Sequence, residues 1–486
     1  MIDAPHFIGG RWVAGSGATF SSIDPSTGQT IWSGNAADAA TVDTAVVAAQ
    51  KAASGWAALD VAAREKHLGN FAALLGKYTD RLAEAISRDV GKPRWEATQE
   101  VQIMVMKLDH TIRAFRERSA GYTAANAGVR YRPLGVIAVL GPFNFPGHLP
   151  NGHIMPALLA GNPVIFKPSD KAPLVAQETV RIWEESGLPA GVLNLLQGGV
   201  ETATVLASHP GVNGLFFTGS SRAGLALSKV FAGTPERLLA LEMGGNNALV
   251  VDAPSDLVAA ALLTVQSAFQ SAGQRCNCAR RLLVTRRTDP KFLDHLFEIS
   301  RSLNIGTPEM TPEPFCGPLI SAEAVEAFLR AQNDLKRLGG RVLLGGSALK
   351  PGTGFVSPAI FDVTGVEGLP DEETFGPLLT VRFVEDLDEA IREANATRYG
   401  LAAGLISDDP AGCERFRREA RAGVINCNLP LNAASSAVPF GGLGLSGNFR
   451  PSAYFAIDSC VYPVATLDAD RAVLPGQLPA GVNLPA

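Results

Sequence analysis

The sequence predicts an α/β protein built on two mainly parallel sheets, each covered on both faces by helices. Three observations predict it. At 486 residues the chain exceeds one ordinary core, so two large units and a smaller element are expected. From residue 135 onward, short apolar runs alternate with segments of helical period. Those runs are continuously apolar, which is how a strand reads when both of its faces are buried.

In chain order, Phe7-Ile8-Gly9-Gly10-Arg11-Trp12-Val13 reads as a short hairpin with a glycine turn. Residues 38–119 read as largely helical. Apolar residues there recur at three- and four-residue spacing, as in Val42, Val46, Ala49 and Ala53, or Leu68, Phe71, Leu74 and Leu75. Strands are then expected at Val136-Ile137-Ala138-Val139-Leu140, Val164-Ile165-Phe166, Val192-Leu193-Asn194-Leu195-Leu196 and Leu215-Phe216-Phe217. A second α/β stretch runs from residue 245 to about 438. The tail from Leu474-Pro475 is rich in proline and glycine and reads as an extended arm.

Composition excludes several classes. With 46% hydrophobic and 18% charged residues, the chain reads as a compact enzyme and not as a disordered one. Net charge is −5 without a basic stripe, so no nucleic-acid partner is expected. The densest basic run, Arg415-Phe416-Arg417-Arg418, is flanked by Glu414 and Glu419 and reads as a solvated helix face. Met1-Ile2-Asp3-Ala4-Pro5-His6 lacks a basic-then-apolar lead, so no signal peptide is expected. No apolar run reaches the ~18 residues of a bilayer span, so no membrane partner is expected either. Six scattered cysteines fit a reducing cytoplasm better than a disulfide framework. Cys276 and Cys278 have no second pair or clustered histidine, so no metal is expected.

Three windows carry chemistry. In Phe269-Gln270-Ser271-Ala272-Gly273-Gln274-Arg275-Cys276, Gly273 permits a tight backbone path and Arg275 adds positive charge that would favour a thiolate. A small core hydrophobe is the other reading of such a cysteine. In Leu241-Glu242-Met243-Gly244-Gly245, a glutamate follows an apolar run where a chain leaves a strand. Buried, it would have a raised pKa suited to a general base; a carboxylate capping the next helix fits equally. In Gly141-Pro142-Phe143-Asn144-Phe145-Pro146, two prolines stiffen the loop around Asn144. Its amide could donate to an oxyanion, or simply close a turn.

Together these windows resemble the aldehyde dehydrogenase superfamily. Phe269, Gly273, Gln274 and Cys276 match its cysteine signature, and residues 241–245 match its glutamate signature. The resemblance extends from Ile8-Gly9-Gly10-Arg11-Trp12 to Pro439-Phe440-Gly441-Gly442. It implies that Cys276 is the nucleophile, that Asn144 and the Cys276 N–H hold the oxyanion, and that Glu242 activates the water. A base at Glu242 implies hydrolysis and not transfer to CoA. The implied cofactor is NAD and the implied partner a small-molecule aldehyde.

The cofactor residues follow from the same resemblance. Gly219, Ser220, Ser221 and Gly224 form a strand-to-helix turn whose N–H groups would suit a pyrophosphate. Lys167, Ser169 and Asp170 match the ribose motif, with the shorter aspartate where the family usually has glutamate. A carboxylate there favours NAD over NADP. Glu373 and Phe375 match the nicotinamide-ribose motif. The implied layout is a cofactor domain at residues 1–118 and 135–244, a catalytic domain at 245–446, and an oligomerisation element at 119–134 and 447–486 forming a homodimer or homotetramer.

The chain further resembles the branch of the family that oxidises an N-acylated, doubly carboxylated semialdehyde in arginine catabolism. The resemblance rests on Gly91-Lys92-Pro93-Arg94-Trp95-Glu96, on Gly147-His148-Leu149-Pro150-Asn151-Gly152-His153 and on Gly447-Asn448-Phe449-Arg450-Pro451-Ser452. Arg275, Arg450, His148 and His153 are candidate carboxylate donors, and Gly147 and Gly152 would leave room for a long acyl chain. Another semialdehyde of the same superfamily, or a catalytically silent scaffold, are the alternatives.

Overall fold

The apolar runs pair into a seven-stranded sheet in the order Leu238–Met243, Gly214–Gly219, Ile137–Leu140, Val164–Lys167, Leu193–Leu195, His6–Ile8, Arg11–Val13. The structure is a computed structural model describing residues 3–124 and 126–485. Met1 and Ile2 of the N-terminal lead, Ala125 of the expected oligomerisation strand and Ala486 of the tail lie outside the described residues. The first five strands run parallel, and the hairpin joins antiparallel where Phe7 faces Leu195. Alternate residues of one strand enter two different cores. Ile137 and Val139 pack with Phe71, Leu75 and Trp183, whereas Ala138 and Leu140 pack with Val42, Val46 and Ala49. Each large side chain so buried contributes about 1.5–3 kcal/mol.

The second sheet follows the order Arg341–Leu344, Ala359–Asp362, Leu378–Val384, Ala279–Thr285, Asn247–Val251, Ala402–Ile406, Val424–Cys427. Only its Arg341–Leu344 edge is antiparallel. Leu249 and Val251 face one core, while Ala248 and Val250 face another that contains Phe416. Phe416 is therefore interior, which corrects the reading of its run as a wholly solvated face. The neighbouring arginines do lie outside, paired with Asp388, Glu414 and Glu419.

The helical stretch resolves into Ala39–Ala58, Val61–Lys77, Thr79–Val90 and Arg94–Arg118. Asp38 and Asp60 cap the first two by accepting from the Thr41 and Ala63 N–H groups. The last of the four is 25 residues long. Its residues Glu96, Glu100 and Lys107 recur near one face and are all buried. A third, three-stranded sheet joins Tyr122–Ala124 to Ala127–Pro133, and the latter to Val461–Leu467 in antiparallel register. Residues 468–485 carry no helix or strand.

This topology fixes where a site can form. From Ile137–Leu140 the first sheet grows to one side through Val164–Lys167, then returns to add Gly214–Gly219 on the other side. Loops leaving the two central strands diverge at their C-terminal ends and open a crevice there.

Candidate active site

Glu242 is the fifth residue of Leu238–Met243 and opens into that crevice. It is 3% exposed, and neither carboxylate oxygen meets a hydrogen-bond partner of good geometry among the described residues. Burial pushes its pKa up to about 7, with Ser452 and the Lys107 ammonium offsetting only part of that. His153 Nε2 stands 3.7 Å from Glu242 Oε1, but burial holds the imidazole neutral, with a pKa of about 3, so the two do not form an ion pair.

Cys276 comes from the other large unit. It follows the turn Gln270–Gly273, in which Ser271, Ala272 and Gly273 all lie in the left-handed region at φ 55°, 54° and 71°. Such backbone costs about 1–2 kcal/mol per non-glycine residue, so neighbours must hold it. Two groups do so. Arg280 Nη1 donates to the Gly273 and Gly376 carbonyls at 2.7 and 3.1 Å, and Nη2 donates to the Arg275 carbonyl at 3.0 Å. Asn247 Nδ2 donates to the Cys276 carbonyl at 2.7 Å. A Cβ on Gly273 would strike the Gly376 carbonyl, so only glycine fits. The Cys276 thiol is partly exposed, yet burial and the charges of Glu373 and Glu242 push its pKa well up.

Asn144 completes the group. It lies in the loop after Ile137–Leu140, and its Nδ2 donates to the Gln274 carbonyl at 2.9 Å. One amide N–H is thus used to tie the loop to the cysteine turn, and the second is left over. The backbone N–H of Cys276 donates to no protein acceptor among the described residues. The loop itself is pinned by Glu100, whose Oε1 accepts from the N–H groups of Gly147 and His148 at 2.9 and 3.0 Å.

Cys276, Glu242 and Asn144 line one cavity of about 630 Å³. Lys167, Ser169, Asp170, Gly219, Ser220, Glu373 and Phe375 line it as well. The Thr218 hydroxyl on its wall lacks a partner among the described residues, and burial pushes the pKa of the Lys167 ammonium down to about 8 against the pull of Asp170. The helix Ser221–Phe231 points its N-terminus there, with Ser220 as its cap. Glu373 is held 3.4 Å from Arg280 Nη2. Cys276 also lines a second cavity of about 480 Å³, so this residue borders both spaces.

A model described as the aldehyde dehydrogenase family matches residues 12–463. The chain belongs to that family. It is 51% identical over 483 residues to the N-succinylglutamate 5-semialdehyde dehydrogenase of Hahella chejuensis, covering 98% of this chain and 99% of that one. Identity to the enzyme of the same name from Serratia proteamaculans is 49%, over 99% of this chain and 100% of the other. Among solved structures, 1-pyrroline-5-carboxylate dehydrogenase from Thermus with bound NAD superposes with a TM-score of 0.89 at 30% identity, covering 95% of this chain and 92% of that one.

Not every residue singled out in the sequence of this aldehyde dehydrogenase reaches the cavities. Ser221 hydrogen-bonds Tyr399 at 3.2 Å, and Gly224 lies against the Met243 side chain, where it lets the helix sit close to the sheet. Neither lines the cleft. Arg275 does not serve the Cys276 thiol, because its Nη2 pairs with Glu96 at 2.9 Å and its Nε donates to Ser271 at 2.7 Å. The cation that does oppose the rise of the Cys276 pKa is Arg280, which the sequence reading missed. Arg450 is exposed and lines neither cavity. Gly147 and Gly152 do not open room for an acyl chain. A Cβ on Gly147 would lie 2.7 Å from the Met104 sulfur, and one on Gly152 would lie 2.6 Å from the Lys107 ammonium.

Proposed function

We propose that the chain is an NAD-dependent dehydrogenase that oxidises N-succinylglutamate 5-semialdehyde to N-succinylglutamate through a thioester on Cys276. The observation that carries the reading is the position of Cys276 on the border of two cavities, with Glu242 and Asn144 beside it on one of them. Relatives about half identical over the whole chain bear the corresponding name.

The cleft fits NAD by its donors. The N-terminus of the helix Ser221–Phe231 suits a pyrophosphate, Lys167 and Asp170 suit ribose hydroxyls, and Glu373 and Phe375 line the same cleft as Cys276. A carboxylate at Asp170 would repel a 2′-phosphate. When bound, NAD supplies the hydride acceptor that turns the thiohemiacetal into a thioester.

The chain's own residues account for the remaining steps. A buried thiol with a high pKa needs a proton acceptor before it attacks. Burial raises both Glu373 and Glu242 to about 7, but Glu373 is engaged by Arg280, whereas neither Glu242 oxygen meets a partner of good geometry among the described residues. Glu242 therefore takes the Cys276 proton as the sulfur bonds to the aldehyde carbon. The resulting oxyanion receives the spare Asn144 N–H and the Cys276 backbone N–H. Glu242 then passes the thiol proton to solvent. For release it removes a proton from water, the water oxygen bonds to the thioester carbon, the carbon–sulfur bond breaks, and the departing thiolate takes up the proton from Glu242. The acid departs and Cys276 is restored.

The expected kcat/KM for N-succinylglutamate 5-semialdehyde exceeds that for acetaldehyde by at least about 100-fold, as steady-state NADH formation will report. Equal values would sink the substrate assignment.

The division into a cofactor domain at residues 1–118 and 135–244, a catalytic domain at 245–446 and an oligomerisation element at 119–134 and 447–486 follows the same reading. The three-stranded sheet exposes Tyr122, Tyr462 and Leu467 at 66%, 43% and 81%, as a surface awaiting another copy would. Light scattering is expected to give a dimer or tetramer; a monomer at micromolar concentration would refute this role.

A further inference from the structure

The cavity on the far side of Cys276 contains a cation that no protein group satisfies among the described residues. Lys107 is 5% exposed, and its ammonium makes no hydrogen bond or ion pair among those residues; its backbone belongs to the helix, whose carbonyl there also accepts from the Thr111 hydroxyl. Gln99, Ile103, Met106 and His110 share the cavity wall with it, at the spacing that puts one helix face toward one space. The chain is built to admit this side chain. Residue 152 is glycine, and a Cβ there would lie 2.6 Å from the Lys107 Nζ.

Other cations near the cavity are already committed. Arg275 is bound to Glu96 at 2.9 Å, and Lys92 is bound to Glu100 at 2.6 Å. His148 and His153 are held neutral by burial and by the charge of Lys107 itself. Glu242 is near enough to bias the ammonium toward its charged form but forms no ion pair with it. A charge buried without a partner is unfavourable, and an arriving carboxylate would remove that cost.

We infer that Lys107 receives a carboxylate of the substrate and sets the enzyme's preference for anionic aldehydes. This role rests on the reading that the substrate is a doubly carboxylated semialdehyde. The contact uses a remote part of the substrate to hold the aldehyde against Cys276. A neutral aldehyde of similar length leaves the ammonium buried and unpaired, and so is disfavoured.

The test is kcat/KM for N-succinylglutamate 5-semialdehyde and for pentanal, in the wild-type enzyme and in Lys107→Met. The expected result is a loss on the order of 100-fold toward the semialdehyde, carried mainly by KM, with pentanal unchanged or faster. Two results would overturn the inference while leaving the substrate reading intact. One is a variant that keeps the wild-type preference. The other is an equal loss on both aldehydes, which would make Lys107 an aid to Glu242 instead. A wild-type enzyme that shows no preference overturns the substrate reading itself, and this role with it. If Lys107→Met fails to fold, Lys107→Gln keeps a polar group in the cavity, and the same comparison decides.

Discussion

Cys276→Ala is expected to reduce aldehyde oxidation by at least about 10⁴-fold, measured as NADH formation, while the purified protein keeps its thermal midpoint and still binds NAD. The size of the effect follows from the absence of a substitute. Cys278 is only two residues away, but it is fully buried, lines neither cavity and directs its sulfur at the Gln270 carbonyl 3.9 Å away. The remaining cysteines are scattered through other parts of the fold. Loss of the sulfur thus removes the covalent route, and hydride transfer from a free aldehyde hydrate is left without a bonded intermediate. The fold should tolerate the change. Cys276 is partly exposed, and the loop is held by its backbone carbonyls through Arg280 and Asn247, not by the thiol. Activity persisting above one-thousandth of wild type, about 10³-fold down at most, would remove Cys276 from the chemistry.

The parts of this arrangement that the sequence disclosed, and those it hid, separate by distance along the chain. Strands such as Ile137–Leu140 and Gly214–Gly219 were legible because a parallel strand covered on both faces must be apolar throughout. Glu242 and Asn144 stood out because one stands near the end of such a run and the other lies in the short loop that leaves one, and the C-terminal ends of parallel strands are where crevices open. The partners of Arg275 were hidden because Glu96 is 179 residues away, and adjacency to Cys276 in sequence proved a poor guide to adjacency in charge. Arg280 is the second residue of the strand Ala279–Thr285, and no local pattern distinguishes a guanidinium that turns back under the preceding loop from one that faces solvent. Lys107 is one of many polar residues in a 25-residue helix. Helical period alone groups it with Glu100 and His110, but not with the glycine that makes space for it. The helix Arg94–Arg118 emerges as the common support of the site. Glu96 holds the cysteine turn, Glu100 holds the Asn144 loop, and Lys107 enters the second cavity.

For Glu242→Gln the expected outcome is one equivalent of NADH per active site, followed by a stall with steady-state turnover lowered about 10³-fold. An amide can occupy the same volume but cannot accept the proton of the attacking water, so the thioester accumulates. Acylation should slow as well, because Glu242 also takes the thiol proton, but by less than deacylation, since water in the cleft can accept that proton during a single turnover. Rapid-mixing absorbance would resolve the burst, and normal steady-state turnover would refute the base assignment. The pH dependence carries the same signature. With a pKa near 7, the wild-type carboxylate loses its proton as pH rises through that value, so deacylation should fall below about pH 7 and level off above it. The variant should show no such limb. Stability is expected to move the opposite way. Burial raises the Glu242 pKa from 4.5 to about 7, so the folded state binds the proton more tightly than the unfolded chain does. The stabilisation that this protonated group provides is therefore full below the unfolded pKa and lost as pH rises toward 7, a swing of about 3 kcal/mol at most. The substituted amide never ionises. The variant should therefore unfold at a higher temperature than wild type at pH 8, and the difference should shrink toward pH 5. A protein that becomes harder to unfold while it loses turnover would show that the wild type keeps an ionisable carboxyl in a buried site at the expense of stability.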